Sequence, residues 1–209
     1  MPLQKISKGT NYKVGIWEFN QDEFNLNDCK IIHPNYHKDF IDYKNESRKW
    51  QIYGVKLLFN ELIDNEKLIS KNGIPYIEKS NKEISITHTN NIIAIIIADF
   101  PCGIDIEQNN RNTLKIKHKF TNKKDFIDGN DLKELLKKWC IKEVLYKSKK
   151  DNSVLFNKHL IVKKKSDGYK GFCSHPNFSF SSNIKITNFR NYFLAFNTDY
   201  TIIHDKEDY

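Results

Sequence analysis

Seven consecutive apolar residues, IIAIIIA at 92 to 98, constrain this chain more than any other feature. The run is far short of the roughly 20 residues that a bilayer crossing needs. Rich in β-branched isoleucine and bounded by turn signals, it predicts a buried strand. EISIT at 83 to 87 precedes it, and the dipeptide Asn90-Asn91 between the two predicts a tight hairpin.

The rest of the chain is organised around that hairpin. KVGIWEF (13 to 19) alternates apolar and polar residues as a strand does, and a polar, less regular stretch runs on to about residue 44. From Glu46 to Ile63, Trp50, Tyr53, Leu57, Leu58 and Leu62 recur at helical spacing. A turn at Asn72-Gly73-Ile74-Pro75 opens a third short run, PYIE, and CGIDIE (102 to 107) is a further strand entered through Pro101. Residues 130 to 147 predict a second helix, and beyond residue 152 VLFNKHLIV, FSFSS, IKIT and NYFLAFNTD read as strands. The order predicts an α+β protein of two similar halves, 1–100 and 101–209, and ITHTNNIIAIIIAD echoes ITNFRNYFLAFNTD. No linker rich in Gly or Pro separates them, so the halves are expected to pack closely.

Composition narrows the partners. A formal net charge of +8 predicts attraction to something anionic: nucleic acid, a phosphorylated cofactor or an acidic protein. The leading MPLQKISKGTNYK has no apolar core of a signal peptide, and no segment is long enough to enter a membrane, so the cytoplasm is the expected compartment. Cys29, Cys102, Cys140 and Cys173 are widely spaced without a C-x-x-C pair, which predicts reduced thiols and no cysteine zinc site.

Chemistry enters through carboxylates in unexpected places. Wound at about 100° per residue, the second helix puts Leu132, Leu135, Leu136, Trp139 and Tyr146 on one stripe, with Lys133, Glu134, Lys137 and Lys138 opposite. Glu143 falls inside the apolar stripe, where a carboxylate is costly unless a cation or several donors meet it. In CGIDIE, Asp105 and Glu107 lie two apart on a strand and so share a face, roughly 7 Å apart. Three acids around one hard cation such as Mg²⁺ account for both features. The alternative for the strand pair is an acidic solvent face. Lys147 lies four residues beyond Glu143, and Lys142 flanks the stripe. They are either an ordinary ion pair and a solvated lysine, or ammonium groups beside a metal-bound phosphate. His88, between Thr87 and Thr89, is either incidental or an imidazole presented with hydroxyls to a phosphate. None of the usual glycine-rich phosphate loops is present.

Asp105 and Glu107 in GIDIE, followed after about thirty residues by Trp139, Cys140, Lys142, Glu143 and Lys147 in W-C-x-K-E-x-x-x-K, resemble the two-part signature of the 4′-phosphopantetheinyl transferases. ISITHTNNIIAIIIAD resembles that family's strand, histidine and strand segment. Arg48 in ESRKWQIYGVKLLFNEL matches the arginine-bearing helix of the larger, surfactin-type branch. The resemblance covers residues 46 to 147. It implies two α+β halves that mimic a dimer within one monomeric chain. It also implies transfer of the phosphopantetheine arm of coenzyme A to a serine of an apo acyl or peptidyl carrier protein, with release of adenosine 3′,5′-bisphosphate. Asp105, Glu107 and Glu143 would hold Mg²⁺, and Glu143 would accept the serine proton. Lys147 and Lys142 would stabilise the phosphate, while Arg48, His88 and Thr87 would hold coenzyme A. Two positions depart from the family. Ile74 stands where Gly-Lys-Pro has its lysine, with Lys71 a substitute, and Thr87-His88-Thr89 replaces Ser-His-Ser. Positive charge suits a polyanionic coenzyme and acidic carriers. The competing readings are an inactive carrier-protein binder and a basic nucleic-acid-binding module. No recognised motif organises the scattered lysines, so neither nucleic acid nor membrane is the expected partner.

Overall fold

A computed structural model describes residues 5–18, 45–126 and 131–205 of the chain. The irregular stretch expected up to about residue 44, and Cys29 within it, lie outside these residues. In chain order the elements are β1 (Lys5–Lys8), β2 (Tyr12–Glu18), α1 (Glu46–Leu62), β3 (Leu68–Lys71), β4 (Ile74–Ile77), β5 (Glu83–Thr89), β6 (Ile92–Ala98) and β7 (Ile104–Gln108). A 3-10 turn at Leu114–Ile116 leads into α2 (Lys117–Phe120), α3 (Leu132–Lys149) and α4 (Phe156–His159). The chain continues with β8 (Leu160–Lys165), β9 (Gly168–Ser174), β10 (Phe178–Phe189), β11 (Tyr192–Asn197) and β12 (Thr201–Asp205).

These strands form a four-stranded sheet ordered β1-β2-β6-β5, a six-stranded sheet ordered β7-β11-β10-β9-β8 with β12 on β10, and the hairpin β3-β4. Each pairing among the described residues is antiparallel, and the fold is mixed α+β. No helix of the described residues is long and apolar enough to cross a membrane.

The run at 92 to 98 is apolar throughout because β6 is covered on both faces. Ile93, Ile95 and Ile97 pack with Trp50, Tyr53, Leu58, Phe59 and Leu62 of α1. Ile92, Ala94, Ile96 and Ala98 face the other sheet, against Ile104, Ile106, Leu194 and Phe196. Each isoleucine so buried contributes about 1.5–3 kcal/mol. The strand β11 repeats the pattern, with Leu194 and Phe196 in the intersheet core and Phe193 and Ala195 in a cluster with Leu136, Cys140, Ile141, Val144 and Leu145 of α3. The layers therefore run α1, sheet, sheet, α3. Asn90 takes the left-handed φ of 46° that closes the predicted β5-β6 turn, with Thr89 paired to Ile92.

Several expectations change. VLFNKHLIV is no single strand, since Phe156–His159 makes a helical turn before β8. FSFSS and IKIT are one strand of 12 residues. The stripe on α3 is rotated from the expected one: Leu132 is 48% exposed, whereas Lys138, placed opposite the core, is 3% exposed. Cys102, Cys140 and Cys173 are buried free thiols.

Candidate functional site

Two edge strands, one from each sheet, run beside each other at the seam between the sheets. The backbone N–H of Ile104 on β7 donates to Ser85 Oγ on β5 at 3.2 Å. Against the start of β7 the helix α3 comes as close as a backbone can. A Cβ on Gly103 would lie 2.0 Å from the carbonyl oxygen of Val144, so only glycine fits there. That approach sets Glu143 and Lys147, one residue before and three after Val144, over the acids of β7. Asp131 caps the helix by accepting from the N–H groups of Lys133 and Glu134.

The result is a cleft of about 420 Å³ lined by Thr87, His88, Thr89, Asp105, Glu107, Arg111, Trp139, Glu143 and Lys147. Asp105 is 5% exposed. Its Oδ1 accepts from Lys147 Nζ at 2.8 Å and from Thr87 Oγ1 at 3.5 Å. Its Oδ2 is buried without an N–H or O–H partner, and the buried Cys140 thiol bears on the same carboxylate. Lys147 Nζ also donates to the carbonyl of Ile104 at 3.0 Å, so its partner is the strand and not Glu143. Glu107 Oε1 accepts from Trp139 Nε1 at 3.1 Å and pairs with Arg111, whose guanidinium lies 5.4 Å from the Trp139 ring. Burial, with the negative charge of Asp105 beside it, pushes the Glu143 carboxyl up to about 7, against the pull of Lys147 and Arg111.

A second hollow of about 580 Å³ shares Ile86 and His88 with the first and is lined further by Arg48, Gln51, Ile52, Val55, Lys56, Gly73 and Pro75. Arg48 Nη1 lies 3.2 Å from His88 Nε2. Desolvation, then the charges of Arg48 and Lys147, hold His88 below the usual histidine range, so the neutral ring accepts from Arg48. Arg48, Gln51, Ile52, Val55 and Lys56 are one face of α1, at spacings of three and four.

Most of the predicted residues thus meet in one continuous cleft, but two do not. Lys71 is exposed outside it, its ammonium 6.0 Å from the Tyr76 ring. Lys142 is fully buried, neither solvated nor lining the cleft. Its Nζ donates to the carbonyls of Phe120 (2.6 Å), Leu160 (2.8 Å) and Phe156 (3.2 Å) and pairs with Asp125 at 2.8 Å. Desolvation lowers its pKa to about 8, with Asp125 pulling it back up. Three residues were missed. Arg111 follows Glu107 by four, which was a usable signal. Trp139 was assigned to the core, and nothing local marked Lys56 as lining a cleft.

The residues fit a hard divalent cation: a buried carboxylate on β7, a neighbouring carboxyl raised by burial and then by like charge, and a third acid on the same strand face. Among the described residues no three acids, histidines or cysteines gather tightly enough to cage an ion unaided. Mg²⁺ sites commonly take one or two carboxylates and complete the shell with water and substrate phosphate. No model of a known protein family matches the chain, and no curated protein matches it.

Proposed function

We propose that the protein transfers the 4′-phosphopantetheine arm of coenzyme A to a serine of an apo acyl or peptidyl carrier protein. The observation that carries this reading is the meeting of Asp105, Glu107, Glu143 and Lys147, drawn from segments about thirty residues apart, in one cleft that runs on to Arg48 and His88. Asp105, Glu107 and Glu143 would hold Mg²⁺, which when bound neutralises the pyrophosphate. Arg48 and His88 bind coenzyme A phosphate oxygens as donors, His88 taking up a proton as the anion arrives. Lys56, which lines the same hollow, adds a further cation there. Thr87 orients Asp105 through its hydroxyl.

In the transfer step, the serine oxygen forms a bond to phosphorus as the pyrophosphate P–O bond breaks. Glu143 takes the serine proton, a role suited to a carboxyl that titrates near neutrality. The Lys147 ammonium offsets charge on the phosphate, and adenosine 3′,5′-bisphosphate leaves. Two similarly ordered halves support the reading: apart from β1 and β12, each runs strand, helix, hairpin, strand, strand, and three of those strands lie side by side in corresponding order (β2-β6-β5 and β7-β11-β10). In this reading they form an internal pseudo-dimer, and the protein works as a cytoplasmic monomer. Incubation of apo carrier proteins with this protein, coenzyme A and Mg²⁺ tests it by mass spectrometry. The expected result is the added mass of one phosphopantetheine per carrier, abolished by EDTA. Unmodified carriers from several pathways, with the protein folded, would refute it.

A further inference from the structure

Lys142 is an odd residue to bury. Its ammonium is shut off from solvent, and removing any such charge from water costs several kcal/mol before its partners repay it. A leucine would fill the space without that cost. What the ammonium gathers is specific. Two of its three carbonyls belong to Phe120 and Phe156, which lie in different segments, on α2 and α4. Asp125, its carboxylate partner, is 2% exposed and also accepts from the N–H groups of Asn122 and Val162, at 2.7 Å and 2.9 Å. One buried charge therefore pins the segment before α3 and the segment after it onto that helix.

The rings of those same two residues bracket Trp139. Phe120 meets the indole edge-on with centroids 5.3 Å apart, and Phe156 lies tilted at 5.7 Å. Trp139 Nε1 in turn donates to Glu107. A continuous set of contacts thus leads from a lysine outside the cleft to an acid inside it, through two backbone carbonyls, two phenyl rings and one indole.

We propose that Lys142 is a positioning residue for the cleft: by fixing Phe120 and Phe156 it locks the Trp139 indole, and the indole N–H aims the Glu107 carboxylate for divalent-metal binding. This rests on the reading of Glu107 as a metal ligand. Partners that orient a ligand from behind typically change metal affinity 10- to 100-fold when removed.

The test uses the full chain and two readouts, the Trp139 indole N–H resonance in the metal-free protein and Mn²⁺ affinity by calorimetry. Lys142→Met is expected to shift or broaden the Trp139 resonance and to weaken Mn²⁺ binding about tenfold. Trp139→Phe assigns the resonance and should weaken binding by a similar factor. The double variant should lose no more affinity than Trp139→Phe alone, because both act through one indole. Phe156→Leu leaves the buried charges paired and should shift the same resonance, and it decides the matter if Lys142→Met does not fold. An unmoved indole resonance and unchanged Mn²⁺ affinity in folded variants would overturn the proposal and leave Lys142 a plain core ion pair. Failure of the wild-type protein to bind Mn²⁺ would instead refute the metal site, and the resonance alone would then judge the coupling between Lys142 and Trp139.

Discussion

One strand beneath each long helix turns two residues toward it, and the two pairs have opposite character. On β2 they are Gly15 and Trp17, and on β7 they are Asp105 and Glu107. The registers match: Gly15 and Trp17 pair with Ile95 and Ile93 of β6, as Asp105 and Glu107 pair with Ala195 and Phe193 of β11. Above Gly15 a Cβ would meet Leu58 and Leu62, spaced on α1 as Glu143 and Lys147 are on α3. The seams differ accordingly. β5 and β7 run side by side around the cleft of about 420 Å³, whereas on the other face of β2 Val14 and Ile16 leave only a crevice of about 60 Å³ against Thr187 and Asn188. Strand positions beneath a helix thus face a dry core under α1, with Gly15 and Trp17, and a charged cleft under α3, with Asp105 and Glu107.

Substituting those side chains is the most direct way to break the comparison. Asp105→Ala, which removes the acid held by Lys147 and Thr87, should lower phosphopantetheine transfer by a factor on the order of 10³ or more, about 4 kcal/mol of activation free energy. Far-UV circular dichroism should stay unchanged. Transfer at wild-type rates would remove Asp105 from the site. The reverse change, Gly15→Asp, puts a carboxylate against Leu58 and Leu62, where nothing apolar can pay for it. A loss of about 3–5 kcal/mol in urea unfolding is expected, with no second metal site gained. A variant as stable as the parent would show that the β2 face is not the dry core described.

Glu143 gives the comparison a pH dependence. Its carboxyl is raised from 4.5 to about 7 in the folded protein, so folding favours the protonated form. The associated stability is complete below about pH 4.5 and is lost as pH rises through 7, because the unfolded chain then binds fewer protons than the folded one. In metal-free protein, Glu143→Gln should therefore raise stability at pH 8 by about 1–3 kcal/mol and change little at pH 5. Thermal melts at both values check this. Equal effects at the two pH values would mean that the carboxyl carries no such strain. Leu58, at the corresponding place on α1, bears no such penalty, which is the cost of chemistry expressed as lost stability.

The sequence made one side of this contrast readable and hid the other. β6, α1 and the β5-β6 turn follow from period and turn chemistry because their neighbours agree with the local pattern. Glu143 stands out because it breaks that pattern, and Asp105 and Glu107, which keep strand alternation, gain meaning only beside it. Lys142 and Lys138 break the pattern too, yet Lys138 reads as solvent-facing and Lys142 as either solvated or beside a phosphate, since part of their cover comes from residues 117 to 126, outside the helix and polar in composition. Phe156–His159 looked like strand because it is short and sits between the apolar pairs Val154-Leu155 and Leu160-Ile161; its helical turn presents the Phe156 carbonyl to Lys142. The strand β9 (GYKGFCS) went unread because two glycines disguise it. Gly171 is there because a Cβ would strike Leu145 of α3 at 2.7 Å, a contact that no local window contains.

The smallest expected effect concerns a tie between the halves outside both seams. Lys150, just past α3, pairs with Glu83 at the head of β5 at 2.6 Å, with 14% and 37% of the two side chains exposed. It also occupies the left-handed region at φ 57°, the position after a helix that favours glycine. The two features oppose each other under substitution. Lys150→Ala loses the ion pair and keeps the backbone strain, so it should cost up to about 1 kcal/mol. Lys150→Gly loses the same pair but relieves the strain by about 1 kcal/mol, so it should be close to neutral. If the glycine variant were instead destabilised by several kcal/mol, the tie would be holding the halves together. The near-neutral outcome leaves that work to the apolar layer between β6 and β11, where Ile92, Ile96, Leu194 and Phe196 are each no more than 2% exposed.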